Sequence, residues 1–342
     1  MSKNIVICLD GTWNDKDDPD ALSNVALLHQ MCRNDDATQL AYYDTGVGTS
    51  GWYDRKLGGV HGVGLSDNVR EAYAFLAQHF AADDKVFIFG FSRGAYTARS
   101  LAGLLYRCGL LEDGGDLKDR VGDLYDAYRE RDDDRMAAHK AANQACPVAF
   151  LGVWDTVGAL GIPVSFLRGA SAKALGFHDT GLSPEVASAC HALAADEKRE
   201  AFEPTLWSVT PDNASRIRQV WFPGVHSDVG GGYAERHHSD VALRWMVDHA
   251  TNNGLLLTDA QPYDYQPDLG QSIHESAYKM FGREIGTEMR DGSSTASSTP
   301  SVHWSIPEKM RLTGDYMPLA LARTVTDWTT LAPFSVEQAT RR

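Results

Sequence analysis

An α/β fold, with a mainly parallel sheet covered by helices on both faces, is predicted by three observations. Short apolar runs recur along the chain, each run is closed by turn-forming residues, and segments of helical periodicity separate them. Asn4 to Leu9 (NIVICL) ends at Asp10-Gly11 and reads as a first buried strand. Ser23, ahead of Val25, Leu27 and Leu28, predicts a capped helix. Gln39 to Tyr43 reads as a second strand, stopped by Asp44-Thr45-Gly46. Between Asp67 and Phe80, Val69, Tyr73, Leu76 and Phe80 share one face of an amphipathic helix. Lys85 to Phe91 (KVFIFGF) is the most β-prone run, and Ala95 to Cys108 after it is helical in period. Val148 to Trp154 and Ile217 to Val225 supply a fourth and a fifth strand, followed by a helix from Val241 to Ala250. Right-handed crossovers bring the carboxyl ends of such strands to one edge of the sheet.

Two stretches break the alternation. Residues 156–216 separate the fourth and fifth strands by more than an ordinary connection and read as a partly helical cap insertion. Within them HALAADEKR (191–199) reads as a helix whose His191, Asp196 and Arg199 make buried polar contacts. Residues 286–302 (GTEMRDGSSTASSTPSV) read as a flexible loop. The whole, residues 1–342, is expected to form a single domain.

Composition narrows the function classes. At 43% hydrophobic residues the chain can bury a sizeable core. A net charge of -14, from 46 acidic and 32 basic residues, repels polyanions and argues against a nucleic-acid partner and against tight binding to anionic membranes. The N-terminal apolar stretch lacks the length and cleavage site of a signal peptide, and no run reaches 18 apolar residues. Cys8, Cys32, Cys108, Cys146 and Cys190 show neither metal spacing nor a disulfide framework. The expectation is a cytoplasmic protein without a transmembrane segment, with transient membrane contact and export without a signal peptide left open.

Gly90-Phe91-Ser92-Arg93-Gly94 matches G-x-S-x-G between the strongest strand and a clear helix. That is the setting of a nucleophile elbow in an α/β-hydrolase-like fold, so Ser92 is the candidate nucleophile. A serine hydroxyl needs a base, and His226, just beyond the fifth strand in WFPGVHSDVGGGY, keeps the order serine, acid, histidine. His303, His274 and His191 are its rivals. Asp155, at the end of the fourth strand, is the expected acid, with Asp228 as the alternative. The oxyanion hole is assigned to the backbone N–H of Arg93 and of Gly11 or Thr12, with Asp10 bracing that loop. No metal or cofactor is needed, although Asp10, His226 and Asp228 could gather around a divalent ion. A phosphatase led by Asp10-Gly11-Thr12 would need an aspartate where Cys8 stands.

The blocks LDGTWN (9–14), YDTGVGT (43–49), GFSRGAYTAR (90–99), GVWDTVG (152–158), HALAADEKR (191–199) and VWFPGVHSDVGGGY (220–233) together resemble one family. It is the α/β-hydrolase group that includes the catalytic domain of type VI secretion phospholipase effectors. The resemblance implies a Ser-Asp-His hydrolase and, for secreted members, attack on phospholipid acyl esters. Those effectors are usually longer, with added membrane-engaging or secretion-associated regions. In the cap, Val157, Leu160, Ile162 and Phe166 are suited either to line an acyl pocket or to pack the cap on the sheet. The expected activity is ester hydrolysis through an acyl-enzyme on Ser92, with lipid or phospholipid first and a small soluble ester second. A non-catalytic binding protein of the same fold is the remaining alternative.

Overall fold

The computed structural model describes residues 2–11, 21–46, 61–158, 181–258, 263–276, 279–280, 283–284, 290, 300–322, 324–332 and 334–337. Among these, eight strands form one sheet in the order β10-β9-β6-β5-β4-β3-β1-β2, every pairing parallel. The strands are β1 (Asn4–Leu9), β2 (Gln39–Asp44), β3 (Lys85–Phe91), β4 (Val148–Trp154), β5 (Ala189–Ala194), β6 (Ile217–Phe222), β9 (Ser301–His303) and β10 (Val336–Glu337). A separate antiparallel pair joins β7 (Lys279–Met280) to β8 (Arg283–Glu284).

Side chains alternate across the sheet as the pleat demands. From β1, Ile5, Ile7 and Leu9 enter one core with α2 (His61–His79), α3 (Arg93–Cys108), α4 (Leu117–Glu130) and α5 (Asp133–Ala142). Val6 and Cys8 enter the opposite core with α1 (Asn24–Met31) and α7 (Ser239–Asn252). A third cluster, around Leu193, Trp221 and Val302, extends the core past β6 beneath α8 (Ser305–Thr313). Both faces are covered, so the strands carry continuous apolar runs. All five cysteines are buried and unpaired. Ser23 caps α1 as its position suggested, its side chain accepting the Ala26 N–H.

The segment 191–199 is corrected by the structure. Ala189–Ala194 (ACHALA) is a strand, not a helix, and lies inside the main sheet between β4 and β6. Alanine favours helices in isolation, but this strand is buried on both faces, and small residues suit a site pressed between two cores. The interval 156–216 therefore contains a central strand as well as connecting chain. Its residues 159–180, with Leu160, Ile162 and Phe166, lie outside the described residues, as does Thr12. So does most of 286–302, of whose residues Arg290 is buried and Ser301–Val302 begin β9. Val157 is buried and bridges Pro204.

Helix α3 starts in close contact with the end of β1. A Cβ on Gly94 would stand 2.1 Å from the Leu9 carbonyl oxygen, and one on Gly90 would stand 2.4 Å from the Gly94 oxygen. Those obstacles are backbone and cannot swing aside. Gly94→Ala should therefore cost at least about 1–3 kcal/mol of stability, read as a lowered denaturant midpoint. An unchanged midpoint would contradict this close packing.

Candidate active site

Strand β3 and helix α3 meet at Ser92, whose φ of 57° and ψ of -120° lie outside the ordinary regions. Its N–H donates to the Trp154 carbonyl at 3.1 Å, tying the elbow to the end of β4. Arg93 follows as the first helical residue, and its N–H has no acceptor within the helix. The Gly11 N–H, the other described candidate for the oxyanion hole, donates to Asp10 Oδ1 at 2.6 Å. In this arrangement it is engaged by a carboxylate. Asp10 also accepts from Tyr43 Oη at 2.7 Å and from Ser23 Oγ, which fits its bracing role.

The residue that follows β4, Asp155, has φ of 38°. Its own N–H still bonds the Ala192 carbonyl at 2.8 Å, but the Thr156 N–H leaves the sheet and donates to His191 Nε2 at 3.1 Å. That left-handed turn directs the Asp155 carboxylate to His226, whose Nδ1–H donates to Oδ2 at 2.6 Å. With Nδ1 donating, Nε2 keeps its lone pair. His226 opens the short helix α6 (His226–Gly230), and its ring lies 4.6 Å from that of Phe91 and edge-on to Phe202 at 4.8 Å. The imidazole thus packs beside the elbow, against the residue preceding Ser92.

The rival side chains have other partners. Asp228 accepts from His274 Nδ1 at 2.6 Å and from the Val225 N–H at 3.0 Å, so it serves the loop into α6 and not His226. His191 is buried in β5, where desolvation pushes it down to about 3 and keeps it neutral. His303 is stacked on Phe222 and bonded to Ser305 Oγ, buried and likewise held down to about 3. Asp10, His226 and Asp228, the conceivable metal ligands, each face a different partner.

Two further groups were not legible as site residues. Glu197 accepts the His226 N–H at 3.2 Å and Ser276 Oγ at 3.0 Å, and Arg199 grips it through Nε and Nη2. Burial raises Glu197, but the Arg199 hydrogen bonds outweigh it and hold the carboxyl down at about 2. Arg290 binds both oxygens of Asp155, at 2.6 and 2.8 Å. Burial opposes ionisation of Asp155, yet Arg290 and His226 keep it well below the usual carboxylate range. His226 is lowered by burial, against the opposing pull of Asp155. The pairing of Glu197 with a residue two places on is a weak signal in DEKR; Arg290 sits in a Ser/Thr-rich stretch without periodicity.

The model of the catalytic domain of Tle1-like phospholipase effectors of type VI secretion matches residues 3–249. The chain belongs to this family. Ser92, Asp155 and His226 lie inside the matched span; His274, Ser276 and Arg290 lie beyond it. Uncharacterized protein YEL023C of Saccharomyces cerevisiae is 27% identical over 238 residues, which are 61% of this chain and 33% of the yeast protein. A crystal structure of an uncharacterized protein from Pseudomonas aeruginosa is 19% identical, with a TM-score of 0.48, over 75% of this chain and 46% of that one. The Tle1 effector bound to the VgrG spike is 20% identical, with a TM-score of 0.39, over 68% and 51%. The match spans a third of the yeast protein and about half of each of the two solved chains. Among the described residues no helix is long and apolar enough to cross a membrane.

Glu197→Gln would leave the half-buried Arg199 guanidinium facing a neutral amide where it now meets a buried carboxylate. It should cost about 1–3 kcal/mol, read in equilibrium denaturation. A loss below about 1 kcal/mol would mean that Glu197 does not hold this loop.

Proposed function

We propose that the chain is a serine esterase that hydrolyses carboxylic esters through an acyl-enzyme on Ser92, with lipid or phospholipid acyl esters as the leading substrate class. In the first step Ser92 Oγ attacks the ester carbonyl while His226 Nε2 takes its proton. The imidazolium then gives that proton to the departing alkoxide. In the second step His226 draws a proton from water, the hydroxide attacks the acyl carbon, and Ser92 leaves with its proton restored. Asp155 holds the imidazole in the tautomer this requires. The Arg93 N–H, aided by the dipole of α3, is the oxyanion donor we assign. Val157 and the apolar cap residues Leu160, Ile162 and Phe166 would contact the acyl chain.

The observation that carries the reading is the 2.6 Å hydrogen bond from His226 Nδ1 to a buried carboxylate, made beside a serine with elbow geometry. Membership of the effector catalytic-domain family supports the lipid class. The net charge of -14 favours the second substrate reading, a small soluble ester, because an acidic protein gains nothing from an anionic lipid surface.

A fluorophosphonate probe should label the purified chain, and Ser92→Ala should abolish both labelling and ester turnover. Asp155→Asn should lower kcat by about ten-thousandfold, whereas Asp228→Asn should leave most of it. Equal losses would assign the acid wrongly. Hydrolysis of short acyl esters with none of phospholipid vesicles selects the soluble-ester reading. Absence of labelling from folded protein points to a binding protein of this fold.

A further inference from the structure

Asp155 is more fully bonded than orienting one imidazole requires. Its Oδ1 accepts the Ala194 N–H at 3.0 Å and Arg290 Nη1 at 2.6 Å; its Oδ2 accepts His226 Nδ1 at 2.6 Å and Arg290 Nη2 at 2.8 Å. Four donors thus occupy the two oxygens, about the number of lone-pair directions that a carboxylate offers. The second hydrogens of the guanidinium reach the carbonyls of Ala194, at 2.8 Å, and of Phe202. Phe202 carries the ring that stands edge-on to His226, and the Arg199 guanidinium lies over that ring, 3.5 Å from its centre. One buried side chain therefore ties together the acid, the end of β5 and the aromatic wall of the base.

We propose that Arg290 is a positioning residue of the Asp155–His226 pair, fixing the acid in the plane of the imidazole and neutralising the charge that the base would otherwise feel. The proposal rests on the Ser92–Asp155–His226 reading above. A planar fork suits it, because two parallel N–H bonds hold a carboxylate against rotation where an ammonium would not.

The electrostatic consequence follows from the groups around His226. Asp155 faces it from the turn after β4, but is paired with Arg290. Glu197 faces it from the chain after β5, but is paired with Arg199. Asp228, on its own helix, is turned to His274. Phe91 and Phe202 pack against the ring. A proton on His226 therefore meets two neutral ion pairs in a desolvated pocket and, among the described residues, no unopposed anion. The base should stay neutral below the ordinary histidine value, and Arg290, itself buried, acts on it through Asp155.

The test is the rate of fluorophosphonate labelling of the full chain between pH 4 and 9, for wild type, Arg290→Gln and Arg290→Lys, each checked for folding by circular dichroism. Labelling of wild type should lose half its rate below pH 6.5, the ordinary histidine value. Arg290→Gln should move that midpoint upward by about 1 pH unit or more and lower the plateau about tenfold or more. Arg290→Lys keeps the charge without the fork, so its midpoint should stay near wild type while its plateau falls. A folded Gln variant with the wild-type midpoint would reduce Arg290 to a structural tie and overturn the proposal. If the Gln variant does not fold, the His226 ring titrated by NMR in the unsubstituted chain decides: a midpoint below 6.5 supports the proposal, and one at or above it overturns it. Wild-type protein that is not labelled, or labelling that survives Ser92→Ala, defeats the underlying triad reading instead.

Discussion

Two adjacent strands of the sheet end in left-handed backbone on residues that are not glycine, and the geometry of the site depends on that pair. Ser92 after β3 and Asp155 after β4 have φ of 57° and 38°. Conformations of this kind cost about 1–3 kcal/mol each and persist only where the surroundings over-determine them. Here the surroundings are the sheet itself. The Ser92 N–H is held by Trp154, the Asp155 N–H by Ala192, and the next donor, Thr156, by the buried His191. The side chains of two neighbouring strand ends are thereby turned out over the rim.

Around that rim, buried carboxylates do the work that glycine turns alone would leave undone. Asp10 accepts the Gly11 N–H, Asp155 that of Ala194, Glu197 that of His226, and Asp228 those of Val225 and His274. Asp196 accepts from the Gly224 and Leu319 backbone and from Tyr316 Oη, and burial pushes it up to about 6. Each satisfies a loop donor that would otherwise be desolvated without a partner, a penalty of about 1–3 kcal/mol. Part of the chain's acidic surplus is thus structural and sits at the site.

What could be read in the sequence follows from which signals are local. Strands β1, β3 and β4 are legible because their apolar runs are long and end in turn residues; Ser92 is legible because its glycines answer a contact made within the same turn and with β1. Asp155 and His226 are legible as strand-end residues in the right order. Strand β5 is not, because its alanines carry a helical preference that only burial between two cores overrides. Strand β9 and the edge strand β10 are too short to show a period. The engagement of the Gly11 N–H by Asp10 is a rotamer matter. Arg290 acts across 135 positions of sequence, from a stretch whose composition speaks only of turns.

The span that matches the family, residues 3–249, contains the three residues proposed for the reaction and yet leaves the sheet unfinished. Beyond it come β9, which covers the open side of β6, and Glu337 of β10, which meets Trp245 and His249 of α7. A fragment trimmed to that span would retain Ser92, Asp155 and His226 while baring the backbone of β6, Trp221 included, as a sticky edge prone to recruit other chains. The family match ends before the sheet does.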